Sequence, residues 1–333
     1  MKENQLSRYG AISRVVPELA PGAKMFLVCD SDDTTTGQAE IGAEFPVDKD
    51  GVVRVYTTIQ AAVNATEASR GDVVLVMPGY DHTLSRADSW ATAGVTIRGI
   101  GNGSLMPTVR YGAKTDEVGI AANNVTVDNI RFLADADSIA RALDLDSGYS
   151  GHTIKNCVFD FDSNGRDFRV MLRVASARTN IDNNEFRAED TAGCGKGIAI
   201  FGGYADFLKI RNNFFYGQFD TVGDTSNTPG AIAVDSGHDS GDTDLSGLEI
   251  INNRIVSTDT AAAILINLAG AGVSIRGIVA NNSLASYDTA ANDTAQVNTG
   301  GAIFVHNWFK TADSDESETL ISEQAKLVGL QDS

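Results

Sequence analysis

The stretch IRNNFF, residues 210–215, sets a pair of asparagines inside a run of branched and aromatic residues. Asparagine is a poor strand former, so its place in a strand-like run needs a physical reason. The same pattern recurs along the chain: an apolar residue, Asn two positions later, and an apolar residue three positions after that. The first asparagines of the six copies are Asn129, Asn156, Asn183, Asn212, Asn252 and Asn281. This internal repeat is the strongest signal in the sequence.

Successive copies lie 27 to 29 residues apart, except for one interval of 40. Each interval holds a second short apolar run, such as AIAV at 231–234 or AIFV at 302–305. No helical pattern fits between these runs, so we expect two or three short strands per repeat. Such a repeat predicts one coil of a parallel β-solenoid. The longest interval predicts an insertion, with residues 235–244 as a protruding loop.

A solenoid gives the repeated asparagines a structural role. Equivalent residues of successive coils stack, so each amide can bond the one above and below it and the turn backbone. Asn also tolerates the left-handed conformation of a sharp bend. We therefore predict a structural Asn ladder at the six positions above. The apolar residues three positions after these asparagines are predicted to form an interior stack. They are Phe132, Phe159, Phe186, Phe215, Ile255 and Leu284.

The region before the repeats predicts a cap. Residues 57–68 have a helical pattern, with Thr57 and Gln60 at capping-box spacing and Gly71 beyond the end. A helix here would cover an edge strand. The stretches YTTIQAAVNA (56–65) and GDVVLVMPGYD (71–81), followed by coils of the INNxF type, resemble pectate-lyase-like proteins, which are right-handed single-stranded parallel β-helices.

The resemblance covers roughly residues 55–310 and implies an all-β, right-handed parallel β-helix of about 8–9 coils. The implied parts are an extended N-terminal arm (1–50), the β-helix with its capping helix (51–310) and an acidic C-terminal helix or tail (311–333). The family includes polysaccharide lyases, glycoside hydrolases, phage tail spikes and phage capsid decoration proteins. Residues 7–34 resemble the N-terminal arms of small β-helix virion proteins from tailed phages.

Candidate catalytic and metal-binding residues are acidic. Asp144 and Asp146 share one strand face by their spacing, and they could form a catalytic pair with Asp160 or Asp162 if the coils align them. The sequence favours a solvated outer face instead. The loop at 235–244 could bind Ca²⁺ through its acidic residues, although a polar loop is the favoured interpretation. The candidate ligands are Asp235, Asp239, Asp242 and Asp244.

Charge and composition exclude several classes of function. The net charge of −18 argues against unspecific binding to nucleic acid or anionic membranes. Three scattered cysteines and four scattered histidines predict neither a disulfide framework nor a metal site. The first residues lack the apolar stretch of a secretory signal, so we expect synthesis in a bacterial host cytoplasm. No cofactor is expected.

Tryptophan platforms for sugar rings are scarce, because Trp90 and Trp308 are the only two tryptophans. We therefore favour a non-enzymatic structural protein on the virion surface of a phage, a capsid decoration protein attached to a capsid or tail protein through residues 1–50. The alternative is a tail spike or adhesin that binds or depolymerises a host surface polysaccharide. The resemblance implies a homotrimer.

Overall fold

The chain winds into a β-helix whose coils each contribute one strand to each of three long sheets. The computed structural model describes residues 21–32, 37–40, 54–163, 165–188, 194–219, 230–235, 244–258, 265–268, 273–286, 297–298, 300–311 and 319–320. One coil runs through Thr126–Asp128, Arg131–Ala134 and Ile139–Leu145 before the next begins at Thr153–Lys155. The predicted all-β fold class and right-handed parallel β-helix are confirmed.

The three sheets are called A, B and C in this order along each coil. Sheet A contains Met25–Val28, Val55–Tyr56, Val73–Val76, Thr96–Gly99, Thr126–Asp128, Thr153–Lys155, Asn180–Asp182, Lys209–Arg211, Asp244–Ile251, Ser274–Ala280 and Ile303–Val305. Sheet B contains Asp81–Leu84, Thr108–Tyr111, Arg131–Ala134, Val158–Phe161, Glu185–Arg187, Phe214–Gly217, Arg254–Ser257, Ser283–Ser286, Trp308–Thr311 and Thr319–Leu320. Sheet C contains Asp88–Ser89, Val118–Ile120, Ile139–Leu145, Phe168–Val174, Lys196–Phe201, Gly230–Asp235, Ile266–Asn267 and Val297–Asn298.

Stacking in register builds the core. Strands of successive coils pair in parallel, so that Val127 faces Ile154 and Ile154 faces Ile181. Alternate residues of each strand point inward and outward. The inward column of sheet A is fully buried and aliphatic, and it comprises Ile97, Val127, Ile154, Ile181, Ile210, Ile250 and Val279. The hydrophobic core therefore runs along the whole axis of the helix and has no single centre.

A helix closes the N-terminal end as the sequence predicts, but it is shorter and capped differently. Helix α1 spans Ile59–Ala65, and Thr58 caps it by accepting a hydrogen bond from the Ala61 amide at 3.2 Å. The predicted cap, Thr57, lies one residue too early. Gln60 does not reach back to the cap; its amide nitrogen donates to the Ser89 carbonyl oxygen at 2.7 Å. The packing of α1 against the first strands therefore took precedence over the capping-box spacing.

The predicted boundary between an N-terminal arm and the β-helix at residue 50 is too late. Met25–Val28 is a strand of sheet A and pairs in parallel with both Val55–Tyr56 and Val73–Val76. Its side chains Phe26 and Val28 are buried in the core. Gln38 is also buried, and its amide nitrogen donates to the Pro78 carbonyl oxygen at 3.0 Å. The described part of residues 1–50 thus belongs to the body of the fold, and the rest lies outside the described residues.

The C-terminal end differs from the expected helix where it is described. Thr319–Leu320 is a strand that pairs antiparallel with Trp308–Thr311 in sheet B, whereas the sequence predicted an acidic helix or tail at 311–333. It follows that sheet B continues with one antiparallel strand after the last coil. Residues 312–318 and 321–333 lie outside the described residues.

Candidate functional site

The predicted ladder asparagines stand at a corner between sheets A and B. Their φ angles lie between 54° and 61°, the left-handed region that Asn tolerates. These residues are Asn129, Asn156, Asn183, Asn212, Asn252 and Asn281. His306, with φ 53°, takes the same conformation in the next coil. The repeated asparagine therefore marks the bend.

The corner amides do not form one continuous chain. Asn183 donates to the Asn156 side-chain oxygen at 2.8 Å, but Asn156 donates to the carboxylate of Asp128 at 2.7 Å. Asn212 likewise donates to Asp182, also at 2.7 Å. Five of the six corner residues are exposed; Asn252 donates to the Asn212 side-chain oxygen at 3.5 Å, and the half-buried Asn129 donates to backbone oxygens. The predicted ladder is wrong in its position.

The continuous amide ladder lies one residue further along the chain. It consists of Asn184, Asn213, Asn253, Asn282 and Asn307. From Asn213 onward, each side-chain oxygen accepts two bonds from the preceding coil, as Asn213 does from the backbone and side-chain nitrogens of Asn184 at 2.9 and 3.0 Å. All five residues are at most 3% exposed. Every described amide of the ladder points in the same direction along the axis.

The sequence held a signal for this shift. In the two earlier coils, the equivalent of Asn184 is Ile130 or Cys157, and both are fully buried. A position that holds asparagine in some coils and an apolar residue in others faces the interior, because a surface turn does not need an apolar side chain. The Cys157 backbone nitrogen begins the ladder by donating to the Asn184 side-chain oxygen at 2.9 Å.

The predicted aromatic stack lies inside the helix. Phe132, Phe159, Phe186 and Phe215 are fully buried, and their ring centroids are 5.0, 4.7 and 4.5 Å apart in sequence. Ile255 and Leu284 continue the column through the pairing of the same strands. These residues form the core of sheet B and leave its outer face to the alternate positions.

The acidic residues considered as a catalytic pair are held apart. Asp144 is on sheet C, whereas Asp160 is on sheet B. Asp144 is 4% exposed and accepts hydrogen bonds from Arg141 and Arg173, each at 2.8 Å. Burial, with the nearby charge of Asp144, raises the pKa of Asp146. The structure therefore corrects the proposed alignment of these carboxylates: two arginines neutralise Asp144, and Asp160 is on another face.

Asp160 is neutralised in the same way as Asp144. It is 5% exposed and accepts a hydrogen bond from Arg131 at 2.6 Å and one from Arg187 at 3.4 Å. Asp162, the other candidate, is exposed and contacts Arg110 at 3.2 Å. A carboxylate held by guanidinium groups is a poor general base, because its charged form is already stabilised. These residues are therefore structural charges.

The predicted calcium loop lies mostly outside the described residues, including Asp239 and Asp242. Its described ends are the last residue of a sheet C strand, Asp235, and the first residue of a sheet A strand, Asp244. Asp235 is 8% exposed and pairs with the buried ammonium of Lys196 at 3.2 Å. Within the described residues, no group of three or more acidic, histidine or cysteine side chains could hold a metal ion.

An aromatic and cationic surface lies on the outer face of sheet B. It is formed by Arg187, Phe214, Tyr216, Arg254 and Trp308, and we call it the sheet B stripe. Since Phe215 points into the core, its neighbours Phe214 and Tyr216 point outward, with ring centroids 6.4 Å apart. The Arg254 guanidinium carbon lies 5.5 Å from the centre of the Phe214 ring, which is a cation–π distance.

The stripe follows the helix axis. Strand pairing places Phe214 beside Arg254, Arg254 beside Ser283 and Ser283 beside Trp308. Three steps at the strand spacing separate Phe214 from Trp308 by about 14 Å. The Trp308 and Tyr216 side chains are 47% and 42% exposed, which is unusual for residues of this size. The geometry suits an extended ligand that lies along the axis.

Sequence reasoning could not separate surface aromatics from core aromatics. Trp90 is one of the two tryptophans, yet it is fully buried, and the tyrosines Tyr80 and Tyr111 are at most 2% exposed. Tyr216 follows the pair Asn212-Asn213 and Trp308 follows His306-Asn307, so the outward phase of the strand after the corner was the available signal. Which residues of a strand point outward is known only once the position of the corner residue is known.

No family model matches the sequence, and no curated protein matches it. Solved structures do match in fold. A pectin methylesterase from Aspergillus niger has a TM-score of 0.40 and 14% identity over 84% of this chain and 93% of its own. A tailspike double mutant of E. coli bacteriophage HK620, in complex with a pentasaccharide, has a TM-score of 0.41 and 15% identity over 94% and 71%.

The pectate lyase Pel9A has a TM-score of 0.36 and 12% identity over 90% of this chain and 80% of its own. These likenesses concern fold alone. The paired parallel strands, the three sheets and the interior stacks are observations on this chain itself. By its architecture, the chain is a right-handed parallel β-helix.

Proposed function

We propose that this protein is a non-enzymatic, glycan-binding β-helix of a phage virion, which holds a host polysaccharide along the outer face of sheet B. The observation that carries the proposal is the sheet B stripe. Tyr216 and Trp308 expose large aromatic faces near opposite ends of a track of about 14 Å along the axis. Exposed aromatics of this size in a row are typical of a binding surface.

The stripe offers both kinds of contact that a sugar chain needs. The apolar faces of sugar rings pack on aromatic rings, which supply area at little cost in side-chain entropy. Arg187 and Arg254 are exposed, and their guanidinium groups can donate hydrogen bonds to hydroxyl or carboxylate oxygens. A series of rigid aromatic anchors with adaptable polar groups between them fits an extended polymer.

Binding is favoured over cleavage because the acidic groups beside the stripe are already paired. The carboxylate of Glu185 contacts Arg187 at 2.8 Å, and Asp160 is buried between Arg131 and Arg187. A glycosidase needs one carboxyl group with a raised pKa and one free carboxylate on either side of the bond. Both carboxylates beside the stripe are occupied by arginine contacts, so the described part of this face offers no such pair.

The capsid-decoration role and the homotrimer expected from the sequence remain predictions. They depend on residues 1–50 as a docking arm, and Met25–Val28 of that segment is a strand of sheet A. Imaging of virions by electron cryomicroscopy would locate the protein on the capsid or on the tail. A tail position agrees with the glycan-binding proposal, whereas a position on every capsid facet would favour decoration.

The glycan-binding proposal can be tested on an array of bacterial surface polysaccharides. We expect retention on at least one of them, weakened about 2- to 10-fold by Trp308→Ala and by Tyr216→Ala, as expected for the loss of one aromatic packing contact. Ile303→Ser is the control, since Ile303 is an exposed apolar residue, 66% exposed, on sheet A and outside the stripe. Equal binding by all three variants would overturn the proposal. Shortening of the bound polysaccharide would show an enzyme instead.

A further inference from the structure

In six coils, a second left-handed residue lies at the corner before the sheet A strand or, for Gly247, inside the strand Asp244–Ile251 at a register irregularity between Ser246 and Leu248. The residues at this corner have φ angles between 53° and 79°. In chain order they are Gly94, Asn124, Gly151, Arg178, Phe207 and Gly247. Four of the six are glycine or asparagine, the residues that adopt this conformation most readily. Arg178 and Phe207 are the exceptions, in two adjacent coils.

Neither exception is explained by the turn itself. A bulky residue in the left-handed region is strained, and Gly or Asn would serve the corner better. Burial does not explain them either, since Phe207 is 51% exposed and Arg178 is also exposed. Strained, exposed, large side chains at one place point to a role at the surface.

The two residues line a cleft of about 500 Å³ on the flank of sheet A. Its other walls are Thr179, Asn180, Lys209, Gly247 and Glu249. The Phe207 ring lies against Gly247, where an added Cβ would meet a ring carbon at 2.6 Å. The Arg178 guanidinium carbon is 6.0 Å from the centre of that ring. The cleft therefore has an aromatic wall with a cation above it.

The charges of the cleft favour a single negative charge on the ligand. Lys209 and Arg178 supply cations, while Glu249 lies between Lys209 at 3.5 Å and Arg211. The hydrogen bond from Arg211 holds the pKa of Glu249 below its usual value, so this carboxylate stays charged. With Glu249 in the wall and a chain of net charge −18, a dianion is repelled more than a monoanion.

We propose that this cleft binds a six-membered ring that carries one carboxylate, with the ring on Phe207 and the carboxylate on Arg178. A planar carboxylate matches the fork of a guanidinium group, and the exposed aromatic face suits either a flat aromatic ring or the apolar C–H face of a pyranose ring. The ligand can be an aromatic acid or a sugar acid, which share this chemistry. The site is separate from the sheet B stripe, because it lies on the flank of another sheet.

The test uses benzoate and glucuronate as the two probes, with benzamide and glucose as their uncharged counterparts. Binding to the full chain is followed by ligand-observed NMR. We expect one or both acids to bind and their uncharged counterparts to bind at least tenfold more weakly. If only glucuronate binds, the ligand is a sugar acid; if only benzoate binds, it is an aromatic acid.

The decisive variants are Arg178→Asn and Phe207→Gly, which install residue types found at the same corner in other coils. We expect each to weaken binding at least tenfold while the melting temperature stays the same or rises, because strain is relieved. Ile303→Ser, at an exposed position outside both the cleft and the sheet B stripe, should leave acid binding unchanged. Absence of binding by the wild-type chain, unchanged binding in both variants, or a lower melting temperature in both would overturn the proposal.

Discussion

Two columns of asparagine run side by side along this molecule, and they differ in almost every physical respect. The corner column, which includes Asn183 and Asn212, lies at the surface in the left-handed conformation with mixed partners. The inner column, which includes Asn184 and Asn213, is buried and forms one directed chain of amide hydrogen bonds. Adjacent residues of one type thus serve the backbone bend in one case and the interior in the other.

The difference shows why the inner column is the more demanding of the two. A buried amide without partners keeps the full cost of its lost contact with water, whereas an exposed one regains water. In-register stacking provides each inner amide with partners from both neighbouring coils. The corner residues need only a backbone conformation, which glycine also supplies.

The largest effect is expected for Asn213→Leu. The change removes the acceptor for two Asn184 nitrogens and leaves the Ile181 carbonyl oxygen without its donor. Since these buried groups find no water, we expect a loss of about 3–5 kcal/mol in the free energy of unfolding. Chemical denaturation of the variant and the wild type measures it. An unfolding midpoint equal to that of the wild type would show that the inner column does not stabilise the fold.

A buried polar side chain without such a column provides the next test. His152 is 1% exposed, and within the described residues neither of its ring nitrogens has a hydrogen-bond partner. Burial lowers its pKa to about 4, against about 6.5 in an unfolded chain. The unfolded state therefore binds a proton first as pH falls, and stability is lost between about pH 6.5 and pH 4.

The lowered pKa of His152 corresponds to a loss of roughly 3 kcal/mol in the free energy of unfolding at the lower end of that pH range. We expect His152→Leu to lose this part of the pH dependence, because leucine suits a place between Val125 and Thr179, its equivalents in the neighbouring coils. Denaturation curves at pH 7 and pH 4.5 for both proteins give the difference. An identical pH dependence in the two proteins would contradict the prediction.

The smallest effects are expected at the corner. Asn212→Leu loses one bond to Asp182 and places a branched residue in the left-handed region, for a cost of about 1–2 kcal/mol. Asn212→Gly loses the same bond but relieves the conformation, so a change of a few tenths of a kcal/mol is expected. Denaturation midpoints rank the two. If glycine costs as much as leucine, the side-chain bond and not the bend determines this position.

Much of the candidate site could not be predicted from the sequence, because it depends on which residues of different coils become neighbours. The stripe exists because Phe214, Arg254 and Trp308 come into one row across intervals of 40 and more residues. The neutralised state of Asp144 depends on Arg173, which is 29 residues away and one coil further. Neither the row of the stripe nor the Asp144–Arg173 pair can be predicted from local spacing, since only the register of the coils brings these residues together.

The sequence by itself determined the repeat, the parallel coils, the left-handed bend at each first asparagine and the aromatic interior column. These follow from local chemistry that is repeated in register: apolar alternation, turn residues and a constant interval. Only the tertiary structure decided which asparagine turns inward, which aromatics reach solvent and which carboxylates find arginines. The physical reason is that a bend resets the alternation of inward and outward side chains, so the phase of each strand depends on how the whole coil closes against its neighbours.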